Sequence, residues 1–306
     1  MRKIFNKKVR VAFLCLLCVA ILVTMPIMSA TKSSASSKSK MFVLNLWEID
    51  SFEGGKGSRA SFLQSIANDF SKSGNCYITV TTLTAAAARE NLKKGTIPDL
   101  ISYGAGTFGI ENYIKGGTPY YTWCYGGYCF LCLDENSDFS DMSGNNTVIN
   151  EGTENYSKIA AMMSGIEGAV YERPTGAYVS LINGKYKYML GTQRDIFRLK
   201  TRGVSFAVRS VTEFNDLYQN ISVTSSDAQF ALKAEEFIKY LLKNSEKVEK
   251  LGLMVNGKRL YNDEMKYLEE ISYEYKLIAP ISENTKAEID GAISNNDLKK
   301  LKKLFK

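Results

Sequence analysis

The chain has 306 residues, with 39 basic and 32 acidic side chains, no histidine and a formal net charge of +7. Eight of the basic residues and none of the acidic ones fall within positions 1–40, so the rest carries 31 basic against 32 acidic groups. A balance that disappears with the leader argues against nucleic acid as a partner. The lack of histidine excludes Ser-His-Asp and Cys-His catalysis and removes the commonest metal ligand.

The N-terminus opens with Arg2, Lys3, Lys7, Lys8 and Arg10, continues uncharged from Val11 to Met28, and reaches Ser29-Ala30-Thr31. This is the pattern of a secretory signal over residues 1–30, followed by a Ser/Lys-rich spacer over 31–41. The same uncharged run is long enough to be kept as a membrane anchor. A lipid-attachment box needs a small residue before its cysteine, and Leu14 and Leu17 precede Cys15 and Cys18. The expected location is extracytoplasmic, at the cell surface or associated with the membrane through the N-terminus. The 266 residues after the first 40 are enough for one large or two small domains.

Phe42–Trp47 has the composition of a buried strand, followed by a loop holding Glu48, Asp50, Glu53 and Gly54-Gly55-Lys56-Gly57. Ser58 caps a predicted helix with apolar residues at Phe62, Leu63, Ile66, Ala67 and Phe70. Tyr77–Leu83 is rich in β-branched residues and forms a second strand. Thr84 and Gly95 bracket a helix over Ala85–Lys94, and Asp99–Tyr103 is a third strand. Strands alternating with helices imply parallel βαβ units, with a ligand crevice beyond the carboxyl ends of the strands. Gly54-Gly55-Lys56-Gly57-Ser58 lacks the spacing of a phosphate loop.

Thr118–Leu133 is an aromatic segment that ends in a strand, and Asp134–Thr147 is polar and turn-rich. A helix is predicted over Ser157–Gly165, irregular structure over Tyr171–Asn183, a strand over Tyr186–Leu190 and a helix from Gln193 through Arg198. Short strands follow at Val204–Val208 and Ile221–Thr224, then a strongly amphipathic helix over Ala228–Lys243 and a short one over Glu246–Leu251. A helical tail begins at Asp263, is broken at Ala279-Pro280, and ends in a Leu/Lys stretch. The four cysteines beyond the leader, Cys76, Cys124, Cys129 and Cys132, fit buried thiols or one disulfide better than a metal site, because no histidine accompanies them. No cofactor is expected.

Several of these segments, in order over roughly residues 42–262, resemble the extracellular solute-binding proteins of bacterial ABC importers, family 1, the carbohydrate-type branch. They are Leu46-Trp47 with the following Gly-rich loop, Arg59–Phe70, Pro98–Gly104, Tyr125–Tyr128, Gly191–Arg198, Glu213–Tyr218 and Ala234–Leu241. The resemblance implies an α/β two-lobe clamp of the periplasmic-binding-protein kind; the chain departs from the family in a short stretch between the crossings, so a shortened second lobe is expected. Its implied partners are a sugar-like solute and the transmembrane subunits of an ABC permease, with the binding protein itself a monomer. The domain boundaries expected from it are 42–127 for the first part of lobe 1 and 128–185 for mainly lobe 2. A return to lobe 1 is expected over 186–210, lobe 2 and hinge-proximal helices over 211–262, and a tail over 263–306.

Flat aromatic rings stack on sugar rings, so Trp47, Tyr103, Trp123, Tyr125 and Tyr128 are candidate ligand contacts, and the bland alternative is core packing. Glu48 and Asp50 offer oxygens to hydroxyl groups, and Gln193 and Arg194 follow a strand toward the same crevice. The expected activity is reversible capture without chemistry. Two alternatives remain: a degenerate module acting as a surface sensor or interaction protein, and a secreted carboxylate-dependent hydrolase, for which no acid/base pair of defined separation is present.

Overall fold

The computed structural model describes residues 41–50, 58–72, 75–114, 120–152 and 156–306. The leader, most of the spacer and the loop carrying Glu53 lie outside the described residues, and Asp50 is described for its backbone alone. Among the described residues no helix is long and apolar enough to cross a membrane.

The first lobe begins with two βα units. Strand β1 (Phe42–Asp50) leads through α1 (Arg59–Lys72) to β2 (Cys76–Thr84), and α2 (Ala85–Lys93) leads to β3 (Leu100–Gly104). Both β2 and β3 pair with β1 in parallel. The alternation of β1 explains why both faces are covered. Leu44 and Leu46 pack with Leu63, Ile66 and Ala67 of α1. Trp47 and Ile49 point the other way, against Ala85, Ala88 and Leu92 of α2. Two later strands complete the sheet, β4 (Tyr121–Tyr125) and β11 (Tyr218–Val223), in the order β2-β1-β3-β11-β4. Strand β11 is antiparallel to both neighbours. Helix α6 (Ala228–Lys243) shares the α1 face, burying Ala234, Phe237, Ile238 and Leu241.

The second lobe starts directly after β4. Strand β5 (Tyr128–Cys132) lies between β8 and β9 in a second five-stranded sheet with β6 (Thr147–Asn150), β7 (Val170–Glu172), β8 (Tyr188–Thr192) and β9 (Ala207–Ser210), ordered β7-β6-β8-β5-β9. One face is covered by α3 (Tyr156–Met163), α8 (Glu283–Ser294) and α9 (Leu298–Leu304), which bury Ile159, Ile289 and Leu301 against Phe130, Ile149 and Leu190. The other carries α4 (Pro174–Ile182), α5 (Gln193–Thr201) and α7 (Met265–Glu269), around Leu131, Val148 and Met189. Short in sequence between the crossings, this lobe still builds as many strands as the first.

Three expectations need correction: the assignment of 186–210 to the first lobe, that of 211–262 to the second lobe and hinge-proximal helices, and the irregular reading of 171–183. Residues 186–210 do not return to the first lobe: β8 and β9 both pair with β5, so they complete the second sheet. The return is made by β11, so residues 218–243 belong to the first lobe. Residues 171–183 are not irregular either, since they hold β7 and α4. Pro174 stands in the first turn of α4, where its missing N–H is no loss.

Three chain segments cross between the lobes. The first is Gly126-Gly127, between β4 and β5. The second runs from β9 through β10 (Phe214–Asn215) to β11. The third descends from Met254, bridged to Tyr125, through α7 to a strap at residues 274–281. Within that strap β12 (Tyr275–Lys276) pairs with β10, Leu277 N–H donates to Asn215, and Ile281 N–H donates to Thr107 of the first lobe.

Candidate functional site

The strands β1, β3 and β4 of the first sheet and β6 and β8 of the second are parallel within each sheet, so their carboxyl ends gather on one edge of each lobe. The crossings lie beside those edges. Gln193, the first residue of α5, is fully buried and clasps the first crossing from the second lobe. Its Oε1 accepts from Gly127 N–H at 3.0 Å, and its own N–H donates to the Gly127 carbonyl at 3.0 Å. Asn215 of the second crossing donates to the Gly126 carbonyl at 2.9 Å. Tyr128 donates through its hydroxyl to Asp216 at 2.9 Å. A Cβ at Gly126 would stand 2.7 Å from Gln193 Cδ, so only glycine allows this approach.

Buried polar atoms collect at the helix starts of the second lobe. Asp195, in the first turn of α5, accepts from Thr192 N–H at 2.9 Å and from the Asn150 side chain at 3.3 Å, both through one oxygen. Asp195 Oδ1, Gln193 Nε2 and the hydroxyl of Ser157 in α3 are buried without a hydrogen-bond partner among the described residues. Burial raises the Asp195 carboxyl above its ordinary value, opposed by those two hydrogen bonds and by Arg198 and Arg194. Arg194 is itself buried. Parallel pairing of β6 with β8 places the starts of α3 and α5 along the same sheet edge.

The other sequence-derived candidates lie elsewhere. Trp47 is 7% exposed and packs in the α2-side core. Trp123 is fully buried, stacked on Phe62 with centroids 5.6 Å apart, and its indole N–H donates to Ser102. Neither indole presents a free face. Tyr103 is buried and bonds Ser222 through its hydroxyl at 3.1 Å; burial pushes its pKa to about 12. Glu48 is buried under α1, where it accepts from Gln219 at 3.2 Å; Gln219 also donates to Ser102. Glu48 and Trp123 therefore share one polar network inside the first lobe. Tyr125 stacks on Tyr218 at 5.9 Å and lines a cavity beside the crossings. Cys76, Cys124, Cys129 and Cys132 are free and buried, and burial lifts the Cys129 thiol well above its usual pKa.

The sequence reading missed Asn150, Ser157, Asp195, Asn215 and Asp216, the polar residues at the helix starts and crossings. The available signal was a polar run, Asn215-Asp216 and Gln219-Asn220, leading into a strand that otherwise reads as core.

No family model and no curated protein sequence matches the chain. Among solved structures it is similar to iron-bound HitA from Pseudomonas aeruginosa, with 11% identity over 84% of this chain and 99% of that one, TM-score 0.57. It is similar to PotD, the spermidine/putrescine ABC transporter substrate-binding protein of Streptococcus pneumoniae, with 10% identity over 87% and 100% of the two chains, TM-score 0.56. The maltodextrin-binding protein MalE1 from L. casei shows 12% identity over 87% and 98%, TM-score 0.55. At these identities the likeness establishes the two-lobe periplasmic-binding-protein fold.

Proposed function

We propose that this two-lobe chain is an exported receptor that captures a small polar solute between its lobes and hands it to an ABC importer. It carries out no reaction. The observation that carries the reading is the group of buried polar atoms at the starts of α3 and α5 that have no partner among the described residues, namely Ser157 Oγ, Gln193 Nε2 and Asp195 Oδ1. Buried polar groups are normally hydrogen-bonded, and a solute rich in hydroxyls supplies both donors and acceptors to such a set. A sugar or oligosaccharide is the class we favour, held through hydroxyl groups rather than by stacking on Trp47 or Trp123, whose rings are enclosed in the cores. The similar solved structures are described by their cargo as iron-bound, spermidine/putrescine and maltodextrin proteins, so the fold is compatible with several solutes. Closure about the Gly126-Gly127 crossing is the switching mode such a hinge supports.

The test is thermal unfolding of the full chain against mono- and oligosaccharides, with polyamines and peptides as other arms. A ligand at 100 times its dissociation constant adds about 2.7 kcal/mol. A shift with one sugar class that shrinks in Ser157→Ala supports the reading, and a shift with polyamines alone replaces the sugar by a cation. No shift with any class removes the transport role in favour of an interaction module.

A further inference from the structure

Beside the crossings lies a cavity of about 400 Å³, within the range of roughly 300–1,000 Å³ typical of small-molecule sites. Its walls include none of Glu48, Tyr103, Ser157, Gln193 or Arg194, so it is separate from the site argued above.

Three tyrosines line it, one at each crossing. Tyr125 immediately precedes Gly126, Tyr218 immediately follows Leu217, and Tyr273 immediately precedes the strap. The Tyr125 and Tyr218 rings form a stacked pair, 5.9 Å apart and inclined by 22°. Tyr273 is 6% exposed, and its hydroxyl has no hydrogen-bond partner among the described residues. That hydroxyl lies against Gly127, where any Cβ would displace it. Burial raises the pKa of all three phenols, with Tyr125 pushed to about 12, so each stays a neutral hydroxyl at physiological pH.

The charged wall residues are unequally engaged. Glu269 spends both oxygens on the backbone N–H groups of Leu260 and Tyr261. Lys258 pairs with Glu246. Arg259 pairs with Glu270, and Lys276 has no ion pair among the described residues. The cavity therefore offers a flat aromatic wall, one buried hydroxyl donor and one unspent cation.

We propose that this cavity is a second binding site, for a small carboxylate bearing a flat ring. The ring lies on the tyrosine pair, the carboxylate faces Lys276, and the Tyr273 hydroxyl donates to the ligand. Because the walls belong to all three crossings, occupancy favours the lobe arrangement described here over any other, and the site acts on the hinge rather than on the cleft.

The experiment is saturation-transfer NMR on the full chain with indole-3-acetate as probe and tryptamine, the same ring with a cation, as control. Indole-3-acetate is expected to bind saturably and tryptamine not. Lys276→Glu, at an exposed position that leaves the fold intact, weakens binding by about tenfold or more. Tyr273→Phe weakens it by about fivefold, and Ser157→Ala leaves it unchanged. Saturation with the probe slows hydrogen exchange at the Gly126 and Gly127 amides. Equal binding of tryptamine, indifference to Lys276→Glu, loss in Ser157→Ala, or no saturation transfer from indole-3-acetate overturns the site. Binding with unchanged Gly126–Gly127 exchange overturns its action on the hinge. A failure of the sugar panel leaves these outcomes untouched.

Discussion

At the scale of single residues, the buried polar side chains separate stability from binding. Trp123 fills the core beside Phe62, and its indole N–H meets Ser102. Trp123→Ala is expected to cost about 3–5 kcal/mol in urea unfolding, whereas Trp123→Phe is expected to leave ligand affinity unchanged. A ligand-contact role for the indole would reverse that pattern. Asp195 gives a pH signature. Its folded-state pKa lies above the ordinary carboxylate value, with desolvation the leading cause, so the folded state keeps this proton longer than the unfolded one. The stability it contributes is present in acid and is lost as pH rises through the folded-state value. In urea unfolding followed upward from about pH 4, Asp195→Asn is expected to flatten that decline. Retention of the full slope would place its origin elsewhere.

At the scale of elements, ends decide more than interiors. Asp227 caps α6 by accepting from the N–H groups of Gln229 and Phe230. Asp227→Ala is expected to lower stability by about 1 kcal/mol, read from the denaturation midpoint at constant slope. The first crossing is more sensitive still. Gly126→Ala drives a methyl into the Gln193 amide, and the Gln193 bond to Gly127 N–H goes with it. The expected loss is about 1–3 kcal/mol, and Gln193→Ala in the same chain should recover part of it by making room. No recovery would mean that the side chain is not the obstacle. Helix α4 shows why some elements escape a sequence reading. Pro174 and Gly176 resemble a break, yet proline suits the first turn, and the buried Ala177, Tyr178 and Leu181 anchor the helix on the second sheet.

At the scale of the whole molecule, the strap at residues 274–281 ties the lobes together alongside the second crossing, through the β10–β12 pair. It buries Leu277 and Ile281 in the second-lobe core while Gly106 N–H of the first lobe donates to Ala279. Tyr156 of α3 adds a direct link, its hydroxyl donating to the Gly106 carbonyl at 2.8 Å. Phe108 lies beneath both Arg89 of the first lobe and Lys286 of α8. These contacts resist opening. Tyr156→Phe combined with Phe108→Ala is expected to raise the radius of gyration in small-angle scattering while both lobes remain folded by circular dichroism. An unchanged radius would show that the crossings alone set the lobe angle.

The sequence by itself determined the βα alternation of residues 42–104, the caps at Thr84 and Gly95, the amphipathic α6 and the break near Pro280. Each of these follows from local periodicity or turn chemistry. It also carried the two-lobe expectation, through a resemblance spread over many short segments. Which strands belong to which lobe was decided only by pairing across long sequence separations. The backbone of 186–210 is strand and helix in either lobe, and it is the antiparallel register of Tyr128 with Thr192 that assigns it to the second. The site was less legible for the same reason. Whether an aromatic or a carboxylate faces a cleft or a core depends on which face of a strand is covered. That is why Trp47 and Trp123 became core, while Asp195 and Ser157, ordinary in sequence, hold buried polar atoms at the lobe edge with Gln193, the one of the three that the sequence had directed toward the crevice.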